Sequence, residues 1–267
     1  MKNKLHIIFV FILAITLLNC RKNKESDDLV INPKICEQIT DTTDFNLYYF
    51  QPFTEHEWKY MSLEDKLIKR QLPDEVLESL NLEELFNNCM CWDLAPDILL
   101  FNSYQQGFRV AYFNRFNGIQ ELYKREGVHL FLEEKLRMID TKDMVKMKCG
   151  FYNHLLEFIY VQNECLSHYP ADEIKSALSF IFDKADRLSY LTTLDSVNYS
   201  SLSLSQWMLG IGNILIMYKY KPFLDELEND LELKSFFEGR INAKANVIIK
   251  ISEFGTAFYN DLKNKEK

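Results

Sequence analysis

The sequence predicts an all-α fold, an irregular α-solenoid or orthogonal helical bundle of roughly nine to eleven helices. Two observations point there. Apolar residues recur at three- and four-residue steps through the second half of the chain, and helix-start signals repeat through the first half. Strand patterning supplies the third observation by its scarcity. Leu202 and Leu204 alternate with serines, but too briefly for a strand, and they read as a loop or the start of a helix. With 6 prolines, 8 glycines and no low-complexity block after the first thirty residues, residues 35–267 read as a single domain.

In chain order, residues 29–60 are the least regular. Phe45, Leu47, Tyr48, Tyr49, Phe50, Phe53 and Trp58 crowd around Pro52, which disfavours a helix there. An extended segment laid across the helical body is expected, and burial outweighs a sugar-stacking role. From Ser62 onward the signals turn helical. Ser62-x-x-Asp65 and Asn81-x-x-Glu84 have the spacing with which a side chain caps the free amides of a first turn. Pro73, followed by Asp74 and Glu75, suits another helix start, and Pro96 and Pro170 are placed alike.

The later helices show as stripes. Met144, Met147, Phe151, Leu155, Phe158 and Cys165 form one. Ile174, Ala177, Leu178, Ile181, Ala185 and Leu188 form the next. Ile241, Ile248, Ile251, Phe258 and Leu262 make the last, with Gly255 as its small member. Trp207 to Tyr218 is the most apolar stretch after the N-terminus. Its 12 residues fall short of the ~20 that span a bilayer, so it should be the central buried helix. Gly210 and Gly212 would let a neighbour approach closely. Their spacing mimics a dinucleotide-binding loop, but the third glycine and the preceding strand are missing. No repeat of fixed length is present.

At the N-terminus, Lys2 and Lys4 precede an uncharged, mostly apolar run from Leu5 to Leu18, and Leu17-Leu18-Asn19-Cys20 closes it. The run is too short to span a membrane and fits the core of a signal peptide. It resembles a bacterial lipoprotein signal, with Asn19 where a small residue is usual. That resemblance implies cleavage after residue 19, lipidation of Cys20 and a place in the cell envelope, on the periplasmic or surface face. Residues 20–34 are charged at first and read as a flexible tether. Without residues 1–19 the chain loses Lys2 and Lys4 and no acid, so its formal charge moves from −8 to −10. An acidic chain without a basic stripe is a poor partner for nucleic acid.

Beyond Cys20 there are five cysteines: Cys36, Cys89, Cys91, Cys149 and Cys165. An odd number cannot all pair within one chain. Cys149 and Cys165 read as one helix, about 24 Å apart at 1.5 Å per residue, beyond disulfide reach. Most of the five are therefore expected as small buried side chains, with Cys36 the best candidate for a bridge.

The densest stretch lies between Leu72 and Arg125. Leu72-Pro73-Asp74-Glu75-Val76-Leu77 is followed by Phe101-Asn102-Ser103-Tyr104-Gln105-Gln106-Gly107-Phe108, then by Phe116-Asn117-Gly118-Ile119-Gln120-Glu121-Leu122 with Lys124 and Arg125 behind. This order resembles a group of uncharacterised, exported, helical bacterial proteins. The resemblance implies a helical fold and no activity. Gly107 and Gly118 read as helix breaks, where Asn102, Asn114 and Asn117 could bond to backbone. Glu121 and Arg125 have the spacing of a local ion pair, and Arg109 and Arg115 suit acids on adjoining helices. A polar network fixing helix hairpins is the favoured reading. The alternative is a ligand or partner groove lined by Arg109, Arg115, Asn117 and Glu121.

No catalytic residue, metal ligand or cofactor motif stands out. There is no zincin histidine pair, nucleophile elbow or P-loop. Glu126-x-x-His129 is the single copy of a motif that a di-iron bundle needs twice, and His154 and Glu157 stand in the reverse order. Both pairs read as surface or packing residues. The expectation is a membrane-tethered module that binds an unidentified envelope protein. A glycan- or peptide-binding lipoprotein is second, and an envelope enzyme third.

Overall fold

The structure, a computed structural model, describes residues 55–138, 150–192 and 200–265. Every regular element among them is helical, and the fold is all-α as its periodicity requires. Cys20, Cys36, Cys149, the tether and the aromatic run from Phe45 to Phe53 lie outside the described residues. The described residues hold fourteen α-helical segments with one 3-10 and one π segment, more pieces than the stripes alone suggest.

The first half is built from short segments: α1 (Glu55–Tyr60), α2 (Leu63–Lys69), α3 (Asp74–Ser79) and α4 (Leu82–Met90). Its start signals act locally. The Asp65 N–H donates to the Ser62 hydroxyl at 3.1 Å. Asn81 and Glu84 close a reciprocal box, each side chain accepting the other's backbone N–H, at 3.0 and 2.9 Å. Pro73 is the capping residue of α3 and Asp74 and Glu75 occupy its first turn. Pro96 opens the 3-10 segment Ala95–Leu100.

Next come α5 (Tyr104–Gly107), the π segment Phe108–Phe113, α6 (Asn117–Leu122) and α7 (Val128–Met138). The expected break at Gly107 is absent, and α5 runs straight into the π segment. Glycine is there for contact: a Cβ at Gly107 would overlap the carbonyl of Ile98 in the 3-10 segment. Gly118 likewise sits inside α6, where a Cβ would stand 2.5 Å from the Phe116 ring.

The second half comprises α8 (Gly150–Tyr160), α9 (Asn163–Leu166), α10 (Ile174–Thr192), α11 (Ser200–Met217), α12 (Lys221–Asn229), α13 (Leu231–Phe237) and α14 (Ala245–Lys265). Helix α11 is the axis, with α8, α9, α10, α12 and α14 all packed on it. Trp207, Ile211, Ile214 and Leu215 are fully buried in it, and the Leu202–Leu204 serine stretch is its first turn. Close packing depends on its glycines. A Cβ at Gly210 would press on Val161 at 3.1 Å, and one at Gly212 would overlap the Phe237 ring.

One stripe is interrupted, and one helix starts later than its signal. The backbone turns extended at Gln162, so Cys165 belongs to α9 and not to the helix that precedes it. Asn213 caps that break, donating to the Val161 carbonyl at 2.8 Å. Pro170 does not open α10; a turn from Pro170 to Glu173 comes first. Cys89 and Cys165 are buried and in no disulfide, and burial pushes both thiols up in pKa, so they stay protonated.

Candidate functional site

An open depression of about 370 Å³ lies between α2 and the start of α6. Leu67 and Ile68 form its apolar side, and Gln71, Asn114, Arg115, Asn117 and Gln120 its polar side. Ile68 is 66% exposed. Of the four groove residues read from the sequence, Arg115 and Asn117 meet here.

Their polar neighbours are already engaged. Asn117 accepts the Leu72 N–H at 3.0 Å and donates to the Leu72 carbonyl at 2.7 Å. Gln71 answers in the opposite direction. It accepts the Asn117 N–H at 2.9 Å and donates to the Arg115 carbonyl at 2.7 Å. Gln120 donates to the Phe113 carbonyl at 2.8 Å. The floor of the depression is therefore a saturated clasp joining the α2–α3 link to the start of α6. The Arg115 guanidinium stands close enough to Asp97 to act on its charge. Burial raises the Asp97 pKa, with Arg115 and Lys66 pulling it back.

Arg109 and Glu121 are held elsewhere. Arg109 forks onto Glu164 of α9, with Nη2 at 2.9 Å from Oε2, and its guanidinium lies 5.0 Å from the centre of the Phe113 ring. Glu121 pairs with Arg125 at 3.1 Å, as its spacing foretold, and with Lys124 at 3.2 Å. Arg125 also donates to the Leu77 carbonyl at 2.6 Å. These contacts bind helix to helix.

Two polar clusters gather residues that the sequence places only as surface or packing positions, or does not single out. In the first, Glu133 of α7 accepts from the Tyr169 hydroxyl and, at 2.9 Å, from Arg137 Nε. Tyr160 and Tyr169 hydroxyls stand 2.9 Å apart beside it. Burial pushes both phenols up in pKa, so both hydroxyls stay protonated. His129 lies against this cluster, stacked on His168 with centroids 5.9 Å apart and edge-on to Tyr169 at 4.5 Å.

The second cluster joins α8, α10 and α11. His154 Nδ1 lies 3.0 Å from the Ser203 hydroxyl and 3.5 Å from Glu157 Oε2. Lys184 donates to the Leu136 carbonyl at 2.6 Å, and burial lowers its pKa against the pull of Glu157. In the pair read as surface or packing residues, Glu157 is buried and the His154 side chain is 11% exposed. Serine, histidine and glutamate invite a nucleophilic triad, but both partners face the same ring nitrogen. A relay requires the base to meet nucleophile and acid through opposite nitrogens. Ser203 is also fully buried, away from any substrate. No group of three or more His, Cys, Asp or Glu among the described residues is placed to hold a metal ion.

No helix among the described residues is long and apolar enough to cross a membrane. No protein-family model, curated protein or solved structure matches the chain.

Proposed function

We propose that the chain is an envelope lipoprotein, tethered through Cys20, whose helical body binds a protein partner. The N-terminal pattern from Lys2 to Cys20 supports the address. One observation supports the role. The depression is shallow and open and bordered by the exposed Ile68, while the histidine- and tyrosine-bearing clusters lie inside the bundle and away from it. Such a surface suits a flat partner better than a small substrate, and Arg115 is the one cation in its lining on a chain of net negative charge.

Crosslinking in intact envelopes, with Ile68 and Arg115 as crosslinker positions, tests the role. One discrete partner band from these positions, missing from a position on α14, is the expected result. Adducts no different from the α14 control would count against it. The address is tested with Cys20→Ala. The variant should leave the membrane fraction or stay unprocessed, and unchanged lipid labelling would refute it.

A further inference from the structure

Between α5, α8, α11 and α13 lies a small recess walled by Tyr104, Phe158, Leu209 and Phe236. Gln206 opens into it from α11, and it is 2% exposed. Both atoms of its carboxamide are buried without a hydrogen-bond partner among the described residues. The amides around it differ. Gln105 and Gln162 donate to each other at 3.2 and 3.3 Å, and Gln162 also donates to the Phe158 carbonyl at 2.9 Å. Buried amides in proteins are satisfied by protein or by ordered water, and Gln206 has the second choice left.

The size of the recess fixes the ligand. Its volume is about 20 Å³, above the ~10–15 Å³ that one water needs and too little for a larger molecule. We infer that the Gln206 recess is a binding site for one long-lived water molecule. That water accepts from Gln206 Nε2 and donates to Oε1, a ring of two bonds open to any primary amide. Gln105 and Asn242 also line the recess and bring further amide donors within it, since Gln105 spends one of its two N–H groups on Gln162 and Asn242 accepts from the Tyr104 N–H through its oxygen. The site ties α11 to α5 and to the segment ahead of α14 without a direct bond between them. It stands apart from the depression, and no step of it rests on the proposed role.

Nuclear Overhauser spectroscopy of the full chain in detergent micelles reads the site directly. The Gln206 side-chain amide protons should show a cross-peak to water with the sign of a slowly tumbling partner, and Gln206→Leu assigns it by its loss. Should that variant fail to fold, Leu209→Phe fills the recess while leaving the amide in place, and the cross-peak should vanish there as well. Oxygen-17 relaxation dispersion should count one long-lived water fewer in either variant. A wild-type Gln206 amide without a water cross-peak overturns the inference, and so does an unchanged count.

Discussion

Asn117 holds Leu72 by both of its backbone groups, although 45 residues separate them. An amide side chain that accepts an N–H and donates to the C=O of one residue copies what a neighbouring strand would offer. In an all-helical body it gives the irregular link between α2 and α3 a partner for both peptide groups. Gln71 makes the reciprocal bonds, so the two amides act as one unit.

Replacing Asn117 with Ala should therefore destabilise the fold by about 2–3 kcal/mol, because it leaves half-buried backbone groups without partners. For a body of this size that is a fall in Tm of roughly 2–4 °C per kcal/mol. Gln71→Ala should cost less on the Asn117→Ala background than alone. Urea titrations of the two single variants and the double variant measure the coupling. Strict additivity would mean that the clasp is not a unit.

Two glycines separate contact from conformation. At Gly107 an added methyl meets the backbone of Ile98, which cannot swing aside as a side chain does. Gly107→Ala should cost about 3 kcal/mol, at the upper end of overpacking. Gly127 stands at φ +74 with open space around its would-be Cβ, so Gly127→Ala should cost only about 1 kcal/mol of backbone strain. Thermal unfolding of both variants ranks them. Equal losses would show that the α5 contact is looser than its geometry.

These residues also show how far sequence reasoning reaches. The capping pairs at Ser62 and Asn81 were readable because their partners lie three residues away. The buried helix at Trp207 to Tyr218 was readable because its composition alone demands burial. Asn117 was readable as a special residue but not for its job, since no spacing rule links it to Leu72. Glu157, His154 and Lys184 look like solvated side chains in a one-dimensional pattern. Only the crossing of α8, α10 and α11 puts them indoors. The break at Gln162 stayed hidden for the same reason, because the Asn213 side chain that caps it comes from another helix.

The Arg109–Glu164 fork should reject lysine. Lysine keeps the charge but supplies a point donor in place of two parallel N–H groups. Both side chains are about 30% exposed, so the ion pair is partly screened and the loss should stay near 1 kcal/mol. Arg109→Lys and Arg109→Ala should then be destabilised to similar extents. A lysine variant with wild-type stability would show that charge alone suffices there.

The histidine pair sets a direction for acid sensitivity. Burial lowers the His129 pKa below its usual 6.5, and the neighbouring His168 lowers it further. Glu173 and Glu133 pull the other way, and Tyr169, edge-on to the ring, stays protonated. The folded protein thus holds His129 neutral, while the unfolded chain takes up a proton as pH falls through about 6.5. The unfolded state then binds more protons, so stability drops as pH falls below that value and keeps dropping until the folded-state pKa is passed. Urea midpoints at pH 7.5 and pH 5.5 should differ more for the wild type than for His129→Gln, which cannot take up the proton. If both chains lose the same stability between those two values, acid acts through other groups and His129 is a packing residue alone.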